Sequence, residues 1–359
     1  MIKRIFYPIG QGAFYSEQFN HEFTIVYDCG NFYHEISAQH VVANSFPKNS
    51  VIDILFISHF DRDHVNLIDI LKANCKIKKV VLPLLHKGER ILLKNIYTSL
   101  GIGYNSIRTL ITNPSEYFGP ETAIISVDFE LNENNENSET SREINGINDN
   151  VRIKSGTILK NNNWIFIPYN IDYKIRNIEL QRLFIKYKLD IDLFKYDLSY
   201  AIKNKNIIKK IYANLPDGIN ANSMLLYSGP LDTINKKFEI EYIFSTDIKI
   251  KKGCCIYYTS YNCLPACVYT GDSDLNITKI SKIFNKYWKN VGTIQIPHHG
   301  SEHNFDINLL NYKPYVCPMS YGLKNIFGHP STKVINNIIK NNSLPILVNE
   351  KICFCEIIT

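Results

Sequence analysis

Two imidazoles and two carboxylates fall within the six residues His59-Phe60-Asp61-Arg62-Asp63-His64. All four side chains can bind a divalent cation. Extended backbone would point His59, Asp61 and Asp63 to one side, with His64 beginning the next element beside them. Four such donors exceed what one small ion needs. The run therefore implies two neighbouring ions, or one ion with a carboxylate left to act on water. Metal-assisted hydrolysis is the chemistry open to such a cluster.

The flanking segments say how it is held. Val51-Ile52-Asp53-Ile54-Leu55-Phe56 is apolar and β-rich, and Val65 to Leu71 has helical periodicity. The cluster thus sits in the loop of a strand–loop–helix unit. Upstream, Lys3 to Ile9 and Glu22 to Asp28 read as strands ending at Gly10-Gln11-Gly12 and Cys29-Gly30, followed by a helix over 35–44. Downstream, 77–84 reads as a strand and 89–100 as a helix or loop. The stretch 131–150, dense in Asn, Glu and Ser, reads as an exposed loop. Two strands are expected across 151–169 and helices across 173–212. Further strands are expected at 238–244, 254–259, 266–269, 293–296 and 314–320. Helices over 277–288 and 334–340 and strands within 344–358 complete the chain.

Five pieces carry a family resemblance in order and type. They are Ile25-Val26-Tyr27-Asp28-Cys29-Gly30, the run from His59 to His64, Tyr269-Thr270-Gly271-Asp272, Pro297-His298-His299-Gly300-Ser301, and Ser320-Tyr321-Gly322 with Asn325 and Gly328-His329-Pro330. The second resembles the HxHxDH signature of the metallo-β-lactamase fold, with Asp61 in place of the second histidine. This HxDxDH form is similar to the hydrolase domain of the ComEC competence proteins, which handle incoming DNA. Asn220 to Tyr227 looks like the strand that opens the family's second sheet.

The resemblance implies an α/β fold, a metallo-β-lactamase-like αββα sandwich with an inserted, largely helical segment. Residues 1–88 would form its first half, 89–213 the insertion or specificity segment, and 214–359 its second half. It implies metal ligands among His59, Asp61, Asp63, His64, Asp272 and His329, with Asp272 bridging two ions and Asp28 orienting a residue of the metal loop. Asp63 would accept the water proton. His298 and His299 are further catalytic candidates, competing with His329 for the remaining places around the ions. His86 is the one histidine where the family has an isolated ligand, but it comes a β-element too early. Asp61 makes the site harder, so manganese or magnesium competes better with zinc; two divalent ions, Zn2+ or Mn2+, are the expected cofactors.

The rest of the composition bounds the partners. A net charge of +6 is compatible with a polyanionic substrate without demanding one. Nine cysteines without a long apolar leader point to a reducing cytoplasm, and no apolar run reaches membrane-span length, so a free-standing chain is expected. Cys254, Cys255, Cys263 and Cys267 lack paired CxxC knuckles and read as neighbours in a buried hairpin. Lysines interleaved with tyrosines over 173–212, among them Lys186, Lys188, Lys203 and Lys205, could track a phosphate backbone. Glu179, Asp190, Asp192 and Asp197 dilute that patch, and the same pattern suits solvated amphipathic helices. The function implied is a nuclease or phosphodiesterase acting on nucleic acid. A hydrolase of a small ester, lactone or thioester is one alternative, and a metal-stabilised binding module working through 89–213 is another.

Overall fold

The computed structural model describes residues 1–20, 22–85, 87–101, 105–129, 140–171, 174–214, 223–232, 237–246, 256–261 and 264–359. His86, Asn220 to Asn222, Cys254, Cys255, Cys263 and the polar stretch 131–139 lie outside the described residues.

The central strands bury both faces. In the first sheet a parallel run joins Phe23–Cys29, Ile54–Phe56, Lys79–Pro83, Ala123–Val127 and Val151–Ile153. An antiparallel flank follows in the order Phe14–Phe19, Ile2–Phe6, Cys353–Ile358, Glu239–Ser245 and Ile256–Tyr261. In the second sheet Ala266–Tyr269, Val291–Ile294, Val316–Ser320 and Leu344–Val348 are parallel. Beyond them lie Leu225–Pro230, Trp164–Tyr169, Ile158–Asn161 and Ser141–Glu143.

Side chains divide by parity along each strand, because successive residues point to opposite faces. Ile25, Tyr27, Ile54 and Phe56 meet Phe166, Leu226 and Tyr269 between the sheets. Val26 and Leu55 turn instead towards an outer layer that includes Ile36–Asn44, Ile68–Asn74, Lys87–Leu100 and Lys205–Asn214. Ile165, Tyr227, Val268 and Met319 face the helix Thr332–Lys340 and the turn Ile280–Ile283 on the other side. The chain is thus an αββα sandwich, the architecture expected of a metallo-β-lactamase-like protein. No helix among the described residues is long and apolar enough to cross a membrane.

The segment 89–213 contributes strands to both sheets. Ala123–Val127 and Val151–Ile153 extend the first sheet, while Ser141–Glu143, Ile158–Asn161 and Trp164–Tyr169 extend the second. Backbone in an extended segment needs ladder partners, and both sheets offered an open edge. The helices of this part of the chain, among them Lys87–Leu100, Asn105–Thr112 and Lys205–Asn214, stand outside the sheets and pack on the first sheet's outer face. Ser141–Glu143 is a strand despite its polar composition, with all three residues exposed. The helix expected over 277–288 shrinks to Ile280–Ile283. Bonds of the i→i−3 type, such as Tyr287 N–H to Phe284 carbonyl at 2.9 Å, bring Phe284, Tyr287 and Trp288 together onto the second sheet.

A charged network crosses between the sheets. Arg4 is fully buried, with Nε 2.8 Å from Glu17 and Nη1 2.5 Å from Glu356, and Nη2 donates to the Pro265 carbonyl at 2.9 Å. From the facing sheet, Ser228 and Tyr269 hydroxyls donate to Glu17 at 2.6 and 2.9 Å, and Thr293 donates to Glu356 at 2.6 Å. Burial alone would lower the Arg4 pKa, but these carboxylates raise it well above its ordinary value. Arg4→Ala would leave two buried carboxylates without a cation, at a cost of about 3–5 kcal/mol. Urea denaturation checks this, and a loss below about 1 kcal/mol would contradict it.

Candidate metal centre

The parallel runs of both sheets end on one rim, and every sequence-marked cluster lies in a loop leaving that rim. The HxDxDH loop follows Ile54–Phe56, Asp272 follows Ala266–Tyr269, His298 and His299 follow Val291–Ile294, and His329 follows Val316–Ser320. Open α/β sheets place ligands outside the carboxyl ends of their strands for this reason.

Asp28 organises the loop. Its Oδ1 accepts the Ser58 N–H at 2.7 Å, and its Oδ2 accepts the Ser58 hydroxyl at 2.7 Å and His64 Nδ1–H at 2.8 Å. With Nδ1 donating, the lone pair of His64 lies on Nε2, aimed away from Asp28. His59 is treated likewise: its Nδ1 lies 2.9 Å from Ser58 Oγ and 3.1 Å from Ser223 Oγ. The Nε2 atoms of both histidines are buried without a hydrogen-bond partner among the described residues. Gly30 lets this loop close, since a Cβ there would lie 2.5 Å from the Asp63 carbonyl carbon and His64 N.

Asp272 faces both orphaned nitrogens. Its Oδ2 is 3.7 Å from His59 Nε2, and its Oδ1 is 3.2 Å from His64 Nε2. The second of these is short but not aligned as a hydrogen bond. Asp61 Oδ2 stands 3.7 Å from His59 Nε2. Across the cluster, His299 Nδ1–H donates to the Ser320 carbonyl at 2.9 Å and presents Nε2 to Asp63 Oδ2 at 3.1 Å. Asp63, His64, Asp272 and His299 each offer a ligand atom, all within 4.8 Å of one another. Oriented imidazoles with unused nitrogens facing carboxylates fit a divalent cation. The carboxylates reach water, with side-chain exposures of 19% for Asp61, 14% for Asp63 and 12% for Asp272.

The surrounding turns are tightly specified. Asp272 N–H donates to Ser223 Oγ at 2.9 Å, and Gln295 Oε1 accepts the N–H groups of Thr270 and Gly271 at 2.8 and 2.9 Å. His298 and His299 both have positive φ, 48° and 57°, a conformation kept only where the surroundings dictate it. His298 N–H donates to the Gly271 carbonyl at 3.2 Å, and its Nδ1 pairs with Asn304 Oδ1 at 3.1 Å.

The protein charges already polarise the cluster. Burial opposes a charge on His64, yet Asp272 and Asp28 raise its pKa well above the ordinary value. Burial, then the neighbouring His64, lowers that of His59. Burial would raise Asp272, but His64 and His298 hold it well below the usual carboxylate range. Asp63 is also lowered, burial being outweighed by His299 and His64. Burial and then His298 push His329 down to about 4. A cation must displace the proton that Asp272 and Asp28 hold on His64. Calorimetric affinity for Mn2+ should therefore rise with pH above the ordinary imidazole value, about 6.5, until the raised value is passed, with proton release; a flat profile would contradict this.

Of the expected site residues, His59, Asp61, Asp63, His64, Asp272 and His299 converge, with Asp28 beneath them. His298 and His329 form an outer pair with ring centroids 5.6 Å apart. His86 lies outside the described residues. Lys186, Lys203 and Lys205 are exposed on helices whose other faces bury Leu183, Phe184, Ala201 and Ile208, and Lys188 is exposed in the turn after the first of these helices. Cys267 is buried and free. Cavities of about 280 Å³ near Lys279 and Tyr312, and about 240 Å³ near Lys72 and Glu121, are lined by none of the cluster residues.

The sequence did not single out Ser58, Gln295 or Tyr97, and marked Ser223 only as part of the run Asn220 to Tyr227. Ser58 was signalled only by preceding His59. Tyr97, buried in Lys87–Leu100, donates its hydroxyl to Asp61 Oδ1. The same helix is tied to Ile191–Tyr196 by Asn95, which donates to the Phe194 and Lys195 carbonyls, each at 2.9 Å. Tyr97→Phe keeps the ring but releases Asp61, and should weaken cation affinity about 10–100-fold in a competition titration against a chromophoric chelator. An unchanged affinity would mean that Asp61 needs no such support.

No family model matches the sequence, and no curated protein matches it. A solved structure of a long form RNase Z from yeast is similar, with a TM-score of 0.37 and 10% identity, over 91% of this chain and 38% of that one. The chain thus spans less than two fifths of that protein's length.

Proposed function

We propose that the protein is a metal-dependent hydrolase of phosphodiesters, acting on nucleic acid as the ComEC-like motif suggests. One observation carries this reading. The two oxygens of Asp272 face two different oriented histidines, His59 at 3.7 Å and His64 at 3.2 Å, as a carboxylate bridging a pair of cations would. His59 and Asp61 would hold one ion, Asp63 and His64 the other, with Asp272 shared and His299 or His329 completing the set. Zn2+ or Mn2+ suits this mixture of imidazole and carboxylate.

The ions, when bound, supply a water of lowered pKa and neutralise charge on the attacked phosphoryl group. Asp63 takes the proton of that water. His299, oriented by the Ser320 carbonyl, steadies the Asp63 carboxylate from 3.1 Å. His298, nearer the rim, is proposed to give a proton to the departing oxygen. Phosphodiester transfer suits the site because it asks mainly for positioning and charge neutralisation. The exposed Lys186, Lys188, Lys203 and Lys205 are proposed to add long-range attraction for a polyanion.

The test is cleavage of single- and double-stranded DNA and RNA with Mn2+, Mg2+ or Zn2+, beside a His59→Ala control. Cleavage by the wild type alone supports the reading. Equal cleavage by both proteins, or by neither, overturns it.

A further inference from the structure

A row of rings leads from the candidate metal centre to solvent. His298 and His329 are 5.6 Å apart by centroid, and His329 lies nearly parallel to Phe327 at 6.2 Å and 17°. Phe327 meets Phe32 edge-on at 5.3 Å, and Phe32 meets Tyr33 edge-on at 5.0 Å. The outer end is open: Phe327 is 45% exposed and Tyr33 41% exposed.

Both loops that carry the row are clamped. Asn325 Nδ2 donates to the carbonyls of Gly322 and His329 at 2.6 and 2.7 Å, while its Oδ1 accepts the N–H groups of Phe327 and His329, each at 3.2 Å. Phe32 N–H donates to the Gln11 carbonyl at 2.6 Å, and buried Asn31 donates to the Ile9 carbonyl at 2.7 Å. The rings are thus held ready rather than ordered on contact, which lowers the cost of binding a flat partner. The metal loop itself carries a cation. Arg62 lies between Asp61 and Asp63, and its Nε is buried with no hydrogen-bond partner among the described residues.

Building on the hydrolase reading above, we propose that this row is a stacking platform for an unpaired nucleobase, with Arg62 taking a neighbouring phosphate. A single strand laid on Phe327 and Tyr33 would then deliver its next phosphodiester to the metal centre. Base faces in a duplex are already covered by their neighbours, so the platform selects single-stranded nucleic acid. Aromatic stacking tolerates any base, because every base has a π-face.

The experiment measures fluorescence anisotropy of a labelled oligothymidylate of about 12 nucleotides and of a hairpin duplex. The full chain is used, with Ca2+ replacing the catalytic ion. Phe327→Ala should weaken oligothymidylate binding about tenfold or more and leave duplex binding little changed. Phe327→Trp should retain affinity, and the emission of the introduced indole should be quenched by the oligonucleotide, since Trp164 and Trp288 are buried. Unchanged affinity of the alanine variant, or unquenched emission from the Phe327→Trp variant, overturns the platform. Wild-type turnover of bis(p-nitrophenyl) phosphate with Mn2+ tests the underlying reading separately, because that diester has no base to stack. Turnover of it with no preference for the single strand overturns the platform and leaves the hydrolase standing. Failure to turn over either the diester or an oligonucleotide overturns the hydrolase reading, and the platform with it.

Discussion

Asp63→Asn is expected to lower the maximal rate of metal-dependent phosphodiester cleavage by about 10²–10⁴-fold, the range for loss of a positioned general base. The substitution keeps shape and removes charge. Asp63 is held as the anion, because His299 Nε2 at 3.1 Å and the His64 charge outweigh the cost of burial. Asparagine can still meet His299 but cannot accept the water proton. The effect should fall on kcat rather than KM, and the acid limb of the pH–rate profile should flatten. Metal content, read by atomic emission on the same protein, separates the two roles given to this carboxylate. A rate that falls only in proportion to lost metal would leave Asp63 a ligand and remove it as the base.

The second large effect is expected at Asp272. Asp272→Ala removes the one carboxylate whose oxygens face both His59 and His64, so bound cation should fall from two per chain to at most one. Hydrolysis should drop by about 10²–10³-fold or more, the scale for removing a central electrostatic stabiliser. Stability should change with pH as well. The depressed Asp272 pKa means that its pairing with His64 stabilises the fold fully above the ordinary carboxylate value, about pH 4, and is lost as pH falls through the lowered value. The raised His64 pKa works the other way. Its share is complete below the ordinary imidazole value and lost as pH rises through the raised one. In the variant both contributions shrink, so the chelated protein should show a flatter dependence of unfolding midpoint on pH. A variant that still binds two cations would remove the bridging role.

Some of this was open to reading from one dimension. The cluster from His59 to His64 is legible because six consecutive residues in one loop stay within reach of each other whatever the rest of the chain does. Asp28 was marked too, by its resemblance to the family's first-strand aspartate. The parallel strands announced themselves as continuous apolar runs, since both faces are buried. The strand Ser141–Glu143 was not, because three exposed polar residues look the same in a loop as on a sheet edge.

Acids, imidazoles and the strand–loop–helix unit that carries them were settled by composition and spacing, which act over a few residues. Long-range pairing settled the rest. It brought His299 to Asp63 across 236 residues, Tyr97 to Asp61 across 36, and Ser223 to His59 across 164. It also buried Arg4 between Glu17 and Glu356, and set Phe32 against Phe327. A polar or aromatic side chain carries no local mark of its distant partner. That partner is chosen by which strands share a ladder and which loops leave the same rim, a property of the folded sheets as a whole.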